Sequence, residues 1–136
     1  MTQQKLNELT YAILGIAIEI HKTLGPGLYQ SVYEKCMIHD LHEKGMKVSS
    51  QQKVPLVYDG KNLECDLRYD LLVEDEIIVE VKAVEAFAPI HEAQLLTYLK
   101  LLDKSKGLLI NFNCTNIFKE GQKTLVTAKF ATLPKQ

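Results

Sequence analysis

The segment Ile77-Ile78-Val79-Glu80-Val81-Lys82 constrains this chain more than any other. Its β-branched residues favour an extended strand. Side chains along a strand alternate between faces. Ile77, Val79 and Val81 therefore share one face, and Ile78, Glu80 and Lys82 share the other. A carboxylate and an ammonium thus stand side by side in one of the most apolar stretches of the chain. Burying such groups is unfavourable unless they are paired or bind an ion. Any fold must cover this strand and still give Glu80 and Lys82 a use.

The preceding residues sharpen the problem. Leu71-Leu72-Val73 leads into Glu74-Asp75-Glu76, a polar run that suits a short hairpin loop. A hairpin centred on Asp75 places Val73 opposite Ile77 and Asp70 opposite Glu80. Directly opposed residues have Cβ atoms roughly 5 Å apart. Two carboxylates at that distance repel, and each raises the other's pKa. A hard divalent cation removes the repulsion, since magnesium takes oxygen ligands from one or two carboxylates plus water. Metal-dependent phosphodiester chemistry would use such a group. The same register sets Arg68 against Lys82, which is unfavourable, so a one-residue slip or a bulge stays open.

A length of 136 residues is enough for one domain with a substantial core. Apolar residues make up 46% and charged residues 24%, as in ordinary globular proteins. The net charge of −1 gives no electrostatic hint of nucleic acid and counts modestly against a tight nucleic-acid binder. Lys100, Lys104 and Lys106 could still form a local basic patch. Cys36, Cys65 and Cys114 are odd in number and widely spaced, so they read as reduced thiols, with neither a disulfide framework nor a zinc spacing. Met1 to Lys5 lacks a signal-peptide core. Leu9 to Ile20 is apolar but too short to span a bilayer, and Glu19 interrupts it. A cytoplasmic location without membrane association is expected.

Apolar spacing predicts the elements. Leu6, Leu9, Ile13, Ile16 and Ile20 recur at steps of three and four, the pattern of an amphipathic helix. Gly25-Pro26-Gly27 stops it. A second helix is expected from Leu28 to Lys44, ended by Gly45. Val48 to Val57 reads as a strand, with Pro55 implying an edge or an irregularity. Asp59-Gly60 is a strong turn signal. Further strands are expected at Leu63 to Val73 and Ile77 to Val84, and a helix at His91 to Leu102 after Pro89. Gly107 to Phe112 is a continuous apolar run typical of a buried strand, and Thr124 to Phe130 reads as a last strand. The order α-α-β-β-β-α-β plus a terminal strand predicts an α/β (α+β) fold with a mixed central sheet flanked by helices.

Gln94 and Tyr98 are four apart, hence on one helical face. They could converge on the Glu80 strand, or be a surface glutamine and a half-buried tyrosine. Gln30 and Glu34 are also four apart, with Tyr33 between them. Glu34 is either a further carboxylate near the site or a solvated side chain. His21 closes the first helix, where a positive charge suits the helix dipole. His39 and His42 lack a third metal ligand of suitable spacing. No G-x-G-x-x-G, G-x-x-x-x-G-K-[ST] or G-x-S-x-G occurs, so nucleotide-cofactor and serine-hydrolase readings lack support.

Taken together, Asp70, Glu80-Val81-Lys82 and Gln94-x-x-x-Tyr98 resemble the PD-(D/E)xK nuclease superfamily in its RecB-like form with a QxxxY helix. The run from Leu24 to Glu34 resembles the small bacterial GxxExxY proteins, as do Ile18 to His21, His91 to Lys100 and Gly107 to Phe112. The resemblance runs from about Leu9 to Lys129. It implies a restriction-endonuclease-like core, a single nuclease-like domain over 1–136, and a Mg2+- or Mn2+-dependent nuclease acting on DNA in repair or defence. By the same resemblance Asp70, Glu80 and the Val81 carbonyl hold the metal. Lys82 orients or helps deprotonate the attacking water, and Gln94 and Tyr98 position the substrate backbone or the lysine. Gln30, Tyr33, Glu34 and His21 are accessory candidates. The acidic position of the GxxExxY motif is Gln30 here, a poorer magnesium ligand than a carboxylate, and Glu34 is the alternative acid one turn on. Tyr69 replaces the proline before Asp70.

Two other readings compete. One is a non-catalytic module of the same fold that binds nucleic acid or a protein partner. The other is a structural role in an oligomer, with Lys82 in an internal salt bridge to Asp70 or Glu80. The chain shows no target-recognition domain, so sequence-specific cleavage would call for a protein partner or a homodimer.

Overall fold

Thr2 begins the first helix by accepting the Lys5 N–H on its hydroxyl at 3.1 Å, which satisfies one of the free donors of the first turn. Helix α1 (Gln3–Leu24) then buries Leu6, Ile13, Ile16, Ala17 and Ile20 along one stripe. Gly25, at φ 69°, ends it, and its N–H bonds the His21 carbonyl. A side chain there would be strained. Helix α2 (Gln30–Glu43) buries Tyr33, Met37 and Leu41, spaced four apart. It starts two residues later than expected, because Tyr29 is extended. These features come from a computed structural model that describes residues 1–136.

The strands are β1 (Val48–Ser50), β2 (Leu56–Tyr58), β3 (Lys61–Leu63), β4 (Leu71–Val73), β5 (Ile77–Lys82), β6 (Lys106–Asn111) and β7 (Gln122–Val126). The remaining helices are α3 (Pro89–Leu101), α4 (Ile117–Glu120) and α5 (Ala128–Thr132). Five strands form one sheet in the order β1-β4-β5-β6-β7. Only β5 and β6 run parallel, as their connection through α3 requires; the other neighbours are antiparallel. This is the expected mixed sheet.

The sheet is covered on both faces. Helices α1 and α2 pack on Leu71, Val73, Ile77, Val79, Val81, Leu108 and Ile110. Helix α3 packs through Leu95, Tyr98 and Leu99 on Leu72, Ile78 and Leu109. The alternation read from β5 therefore holds, with Ile77, Val79 and Val81 toward α1 and α2 and Ile78 toward α3. Gly107 lets α3 approach closely, since a Cβ there would sit 2.9 Å from Leu95 Cδ1.

Three expected strands differ. The stretch Val48 to Val57 divides between two sheets, because β1 ends at Ser50 and β2 begins after Pro55, which has no N–H for a ladder. Leu63 to Val73 is broken by the exposed run Glu64-Cys65-Asp66. The last strand ends at Val126, and Phe130 lies in α5 instead, where its ring receives the Lys106 ammonium 5.4 Å from its centroid. The suggested basic patch does not form either. Lys106 is buried and bonds Asn7 Oδ1 at 2.6 Å, while Lys104 pairs with Asp75 at 3.2 Å.

Candidate functional site

The β4–β5 hairpin builds the centre of the site. Its loop residues Glu74 and Asp75 both have φ near 55°, a conformation acidic and amide side chains tolerate better than most. The ladder pairs Val73 with Ile77, Leu72 with Ile78 and Leu71 with Val79. The next pair in this register is Asp70 with Glu80. The Asp70 N–H donates to Glu80 Oε2 at 2.8 Å, and the Val81 N–H donates to Asp70 Oδ2 at 2.9 Å. Each acid thus bonds the backbone of the other's strand, and both are buried.

The electrostatics follow from this burial. Loss of solvent raises the Glu80 pKa from 4.5 to about 8, and the Asp70 charge adds to the rise; the Asp70 N–H and the Lys82 ammonium oppose it. Lys82 follows on the same face and is half-buried. It lies within the electrostatic reach of Glu80 and Glu34 but is in none of the seven ion pairs of the chain. The internal salt bridge from Lys82 to Asp70 or Glu80 is therefore not formed. The anticipated Arg68–Lys82 opposition is absent too. Arg68 has left the ladder to bridge Lys53, pair with Asp66 at 2.8 Å and donate to the Gln51 carbonyl at 3.1 Å.

Glu34 joins the group from helix α2. Its Oε1 accepts the Gln51 amide at 2.8 Å, and the same amide nitrogen donates to Asp70 Oδ1 at 3.2 Å. Burial and the Asp70 charge raise the Glu34 pKa; the amides of Gln51 and Gln30 and the Lys82 charge oppose the rise. Gln30 bonds Glu34 Oε2 at 3.3 Å, so the amide at the motif's acidic position supports the glutamate one turn on. Tyr98 is buried on α3, and its phenol pKa is raised by burial and by the charge of Glu80. Gln94 is exposed, one turn earlier on α3.

Two accessory candidates are occupied elsewhere. Tyr33 is fully buried and stacked on Phe112 at 4.3 Å, with its hydroxyl donating to the Gly25 carbonyl at 2.6 Å and accepting the Leu28 N–H at 3.2 Å. It fastens the Gly-Pro-Gly loop. His21 Nε2 is bonded to the Cys114 carbonyl at 2.8 Å.

Sequence reasoning passed over two residues. Gln51 carries no local signal, because its partners lie 17 and 19 positions away. Asn111 pairs with Lys82 across the β5–β6 ladder. Its side chain accepts the Val84 N–H at 3.1 Å and donates to the Val84 carbonyl at 2.9 Å. That clamp fixes the chain just beyond Lys82. A polar residue closing the apolar run Gly107 to Ile110 was its one visible sign.

No three His, Cys, Asp or Glu side chains stand close enough together to cage a metal. The core offers two carboxylates and backbone carbonyls, an all-oxygen set that fits magnesium or manganese better than zinc. Burial and the Asp70 charge both disfavour the ionised form of Glu80, and a divalent cation would offset both. A surface depression of about 610 Å³ lies away from these groups, between α1 and α2 beside Ala12, Gly15 and Asp40; the candidate site rests on its side-chain chemistry rather than on concavity.

A family model described as the PD-(D/E)XK nuclease superfamily matches residues 7–124. The chain belongs to this superfamily. No curated protein and no solved structure matches it. The mixed sheet with α1 and α2 on one face and α3 on the other is the restriction-endonuclease-like arrangement of PD-(D/E)XK proteins. Membership points to nuclease-type activity, to a nucleic-acid partner and to the divalent metals that such nucleases typically use. No helix is long and apolar enough to cross a membrane.

Proposed function

We propose that this chain is a Mg2+- or Mn2+-dependent nuclease that hydrolyses phosphodiester bonds of DNA. The observation that carries the reading is the reciprocal bonding of Asp70 and Glu80, two buried acids with a half-buried, unpaired Lys82 next along the same strand face. A structural pair would normally neutralise the acids with the nearby ammonium. Here the ammonium makes no ion pair with either acid.

Asp70, Glu80 and the Val81 carbonyl would hold the ion. When bound, it lowers the pKa of a coordinated water and neutralises charge on the phosphoryl oxygens. Lys82 contributes a fixed positive charge where negative charge develops, without needing reorganisation. The Asn111 clamp keeps the peptide after Lys82 in place. Tyr98, buried on α3, lies within the electrostatic reach of Glu80. Gln94, exposed on the same helix, is free to contact the substrate backbone. DNA repair or defence against foreign DNA would employ such an activity, with a homodimer or a protein partner selecting the target.

A cleavage assay on linear and circular DNA with Mg2+, Mn2+ or chelator tests the reading. The expected result is metal-dependent cleavage by wild type that falls at least about a hundredfold in Lys82→Ala. Metal binding without cleavage of DNA or RNA would favour the non-catalytic module of the same fold.

A further inference from the structure

Helix α3 begins without the usual cap. Its N-cap residue is Ala88, whose methyl group accepts no hydrogen bond, and Pro89 follows with no N–H of its own. The side-chain bond at this end runs the other way. The Ala88 N–H donates to His91 Nδ1 at 3.0 Å, while the His91 N–H donates to the Ala88 carbonyl at 2.9 Å. His91 stands at the third helical position, where a glutamate or glutamine oxygen commonly makes this back-bond. Phe87 steadies the imidazole in an edge contact, with ring centroids 6.4 Å apart and planes at 80°.

This bond dictates where the ring carries its proton. A backbone N–H only donates, so Nδ1 is the bare, accepting nitrogen and the ring proton sits on Nε2. An imidazolium has protons on both nitrogens and no lone pair for Ala88. Helix α3 packs on β5, β6 and β7. On that side β5 presents Glu80 and Lys82, β6 presents no ionisable group and β7 presents Lys123, while Glu85 lies in the preceding loop and Glu92 on α3 itself. Lys123 pairs with Glu92, and His91 is in none of the ion pairs of the chain. No carboxylate is bonded to the ring, so nothing replaces the Ala88 bond once Nδ1 is protonated.

Residues 83–88 join Lys82 to the helix that carries Gln94 and Tyr98. Asn111 clamps the start of this loop at Val84, and His91 clamps its end at Ala88. The first clamp is an amide that does not titrate; the second does. We propose that His91 is a proton-operated latch on this loop. Neutral, it holds Ala88 and the first turn of α3. Protonated, it releases Ala88 and loosens the stretch from Glu85 to Ile90, while the Asn111 clamp stays closed. The segment between Lys82 and Gln94 is therefore ordered above the range in which histidines titrate and mobile below it. The latch is independent of the nuclease reading, because it needs neither metal nor substrate.

NMR on the full chain, without metal or nucleic acid, tests this in wild type, His91→Gln and His91→Ala, with melting curves confirming that each is folded. Glutamine offers Ala88 an oxygen and takes up no proton. At pH 8, long-range 1H–15N correlations should show the His91 proton on Nε2 and a bare Nδ1. Amide hydrogen exchange of Ala88 is then compared at about pH 8 and about pH 5, the range that histidine titration spans. Each variant is read against wild type at the same pH, so the intrinsic pH dependence of exchange and the titration of Glu80 cancel. Wild type and His91→Gln should agree within about twofold at pH 8, and wild type should be about fivefold less protected than His91→Gln at pH 5, the factor one ordinary hydrogen bond implies. His91→Ala should be about fivefold less protected than wild type at pH 8 and should match it at pH 5. The Val84 amide, held by Asn111, should stay protected throughout. A proton on Nδ1 at pH 8, or a ratio of wild type to His91→Gln that does not change with pH, would overturn the proposal. If His91→Ala does not fold, the comparison of wild type with His91→Gln decides alone.

Discussion

Replacing Glu80 by glutamine removes the one charge that burial makes most unfavourable, and the consequence depends on pH in a definite direction. Burial and the Asp70 charge raise the Glu80 pKa from 4.5 to about 8. In the metal-free protein, the unfolded chain therefore ionises Glu80 at a lower pH than the folded chain does. Between those two values the folded state binds more protons, so stability falls as pH rises. The effect is absent below about pH 4.5 and complete above about pH 8. A shift of this size corresponds to roughly 4 to 5 kcal/mol. Coupling to Asp70 spreads the titration over the pair, and roughly 2 kcal/mol is expected to be visible as a Glu80 effect. In Glu80→Gln the side-chain oxygen can still accept the Asp70 N–H, and the new NH2 faces the Asp70 carboxylate. At pH 8 the variant should melt roughly 6–10 °C above wild type, and at pH 4.5 the two should nearly coincide. The assay is thermal unfolding by circular dichroism in chelator across pH 4.5 to 8.5. A wild-type curve that is flat with pH, or a variant less stable at every pH, would refute the reasoning, because it would mean that Glu80 is ionised at little cost.

Three further outcomes follow from the same geometry. Lys82→Ala should retain Mn2+ binding within about threefold while losing at least about a hundredfold in cleavage rate; calorimetry and a DNA assay on the same samples separate the two. Gly107→Ala should lower stability by about 1–3 kcal/mol in denaturant unfolding, because a Cβ there meets the fully buried Leu95 at 2.9 Å and pushes on α3. Tyr33→Phe should cost roughly 1–2 kcal/mol, since the Leu28 N–H and the Gly25 carbonyl lose their shared hydroxyl, with metal binding unchanged in calorimetry.

The parts of the fold that were legible in the sequence are those fixed by local pattern. The register of β4 on β5 is suggested by the apolar runs and the polar loop between them, and the ladder pairs Val73 with Ile77 as that reading has it, without the slip or bulge that the sequence leaves open. The Asp70–Glu80 meeting follows from that register alone. The first helix shows in its apolar spacing, and the ends of both long helices in Gly25 and Gly45. What was not legible depends on distant partners. Arg68 could have continued the ladder into Lys82, yet it turns to Asp66 and the Gln51 carbonyl, where its charge is satisfied. The division of Val48 to Val57 between two sheets depends on Pro55 and on the burial of Val54 in the cluster that also holds Tyr69 and Tyr98. Phe130 carries an apolar pattern that suits a strand, but Lys106 and the Thr127 turn recruit it into α5. Glu34 could not be told from a solvated residue until Gln51 reached it. Nothing near Gln51 in the sequence announces that it does.

The measurement that bears most directly on the site is Mn2+ titration into wild type and the Asp70→Ala/Glu80→Ala double variant, with DNA cleavage assayed on the same samples. Saturable binding and metal-dependent cleavage by wild type, both lost in the folded double variant, are the expected result. Binding of equal strength in the double variant, or no binding by wild type at millimolar Mn2+ with DNA present, would contradict a metal centre at Asp70 and Glu80.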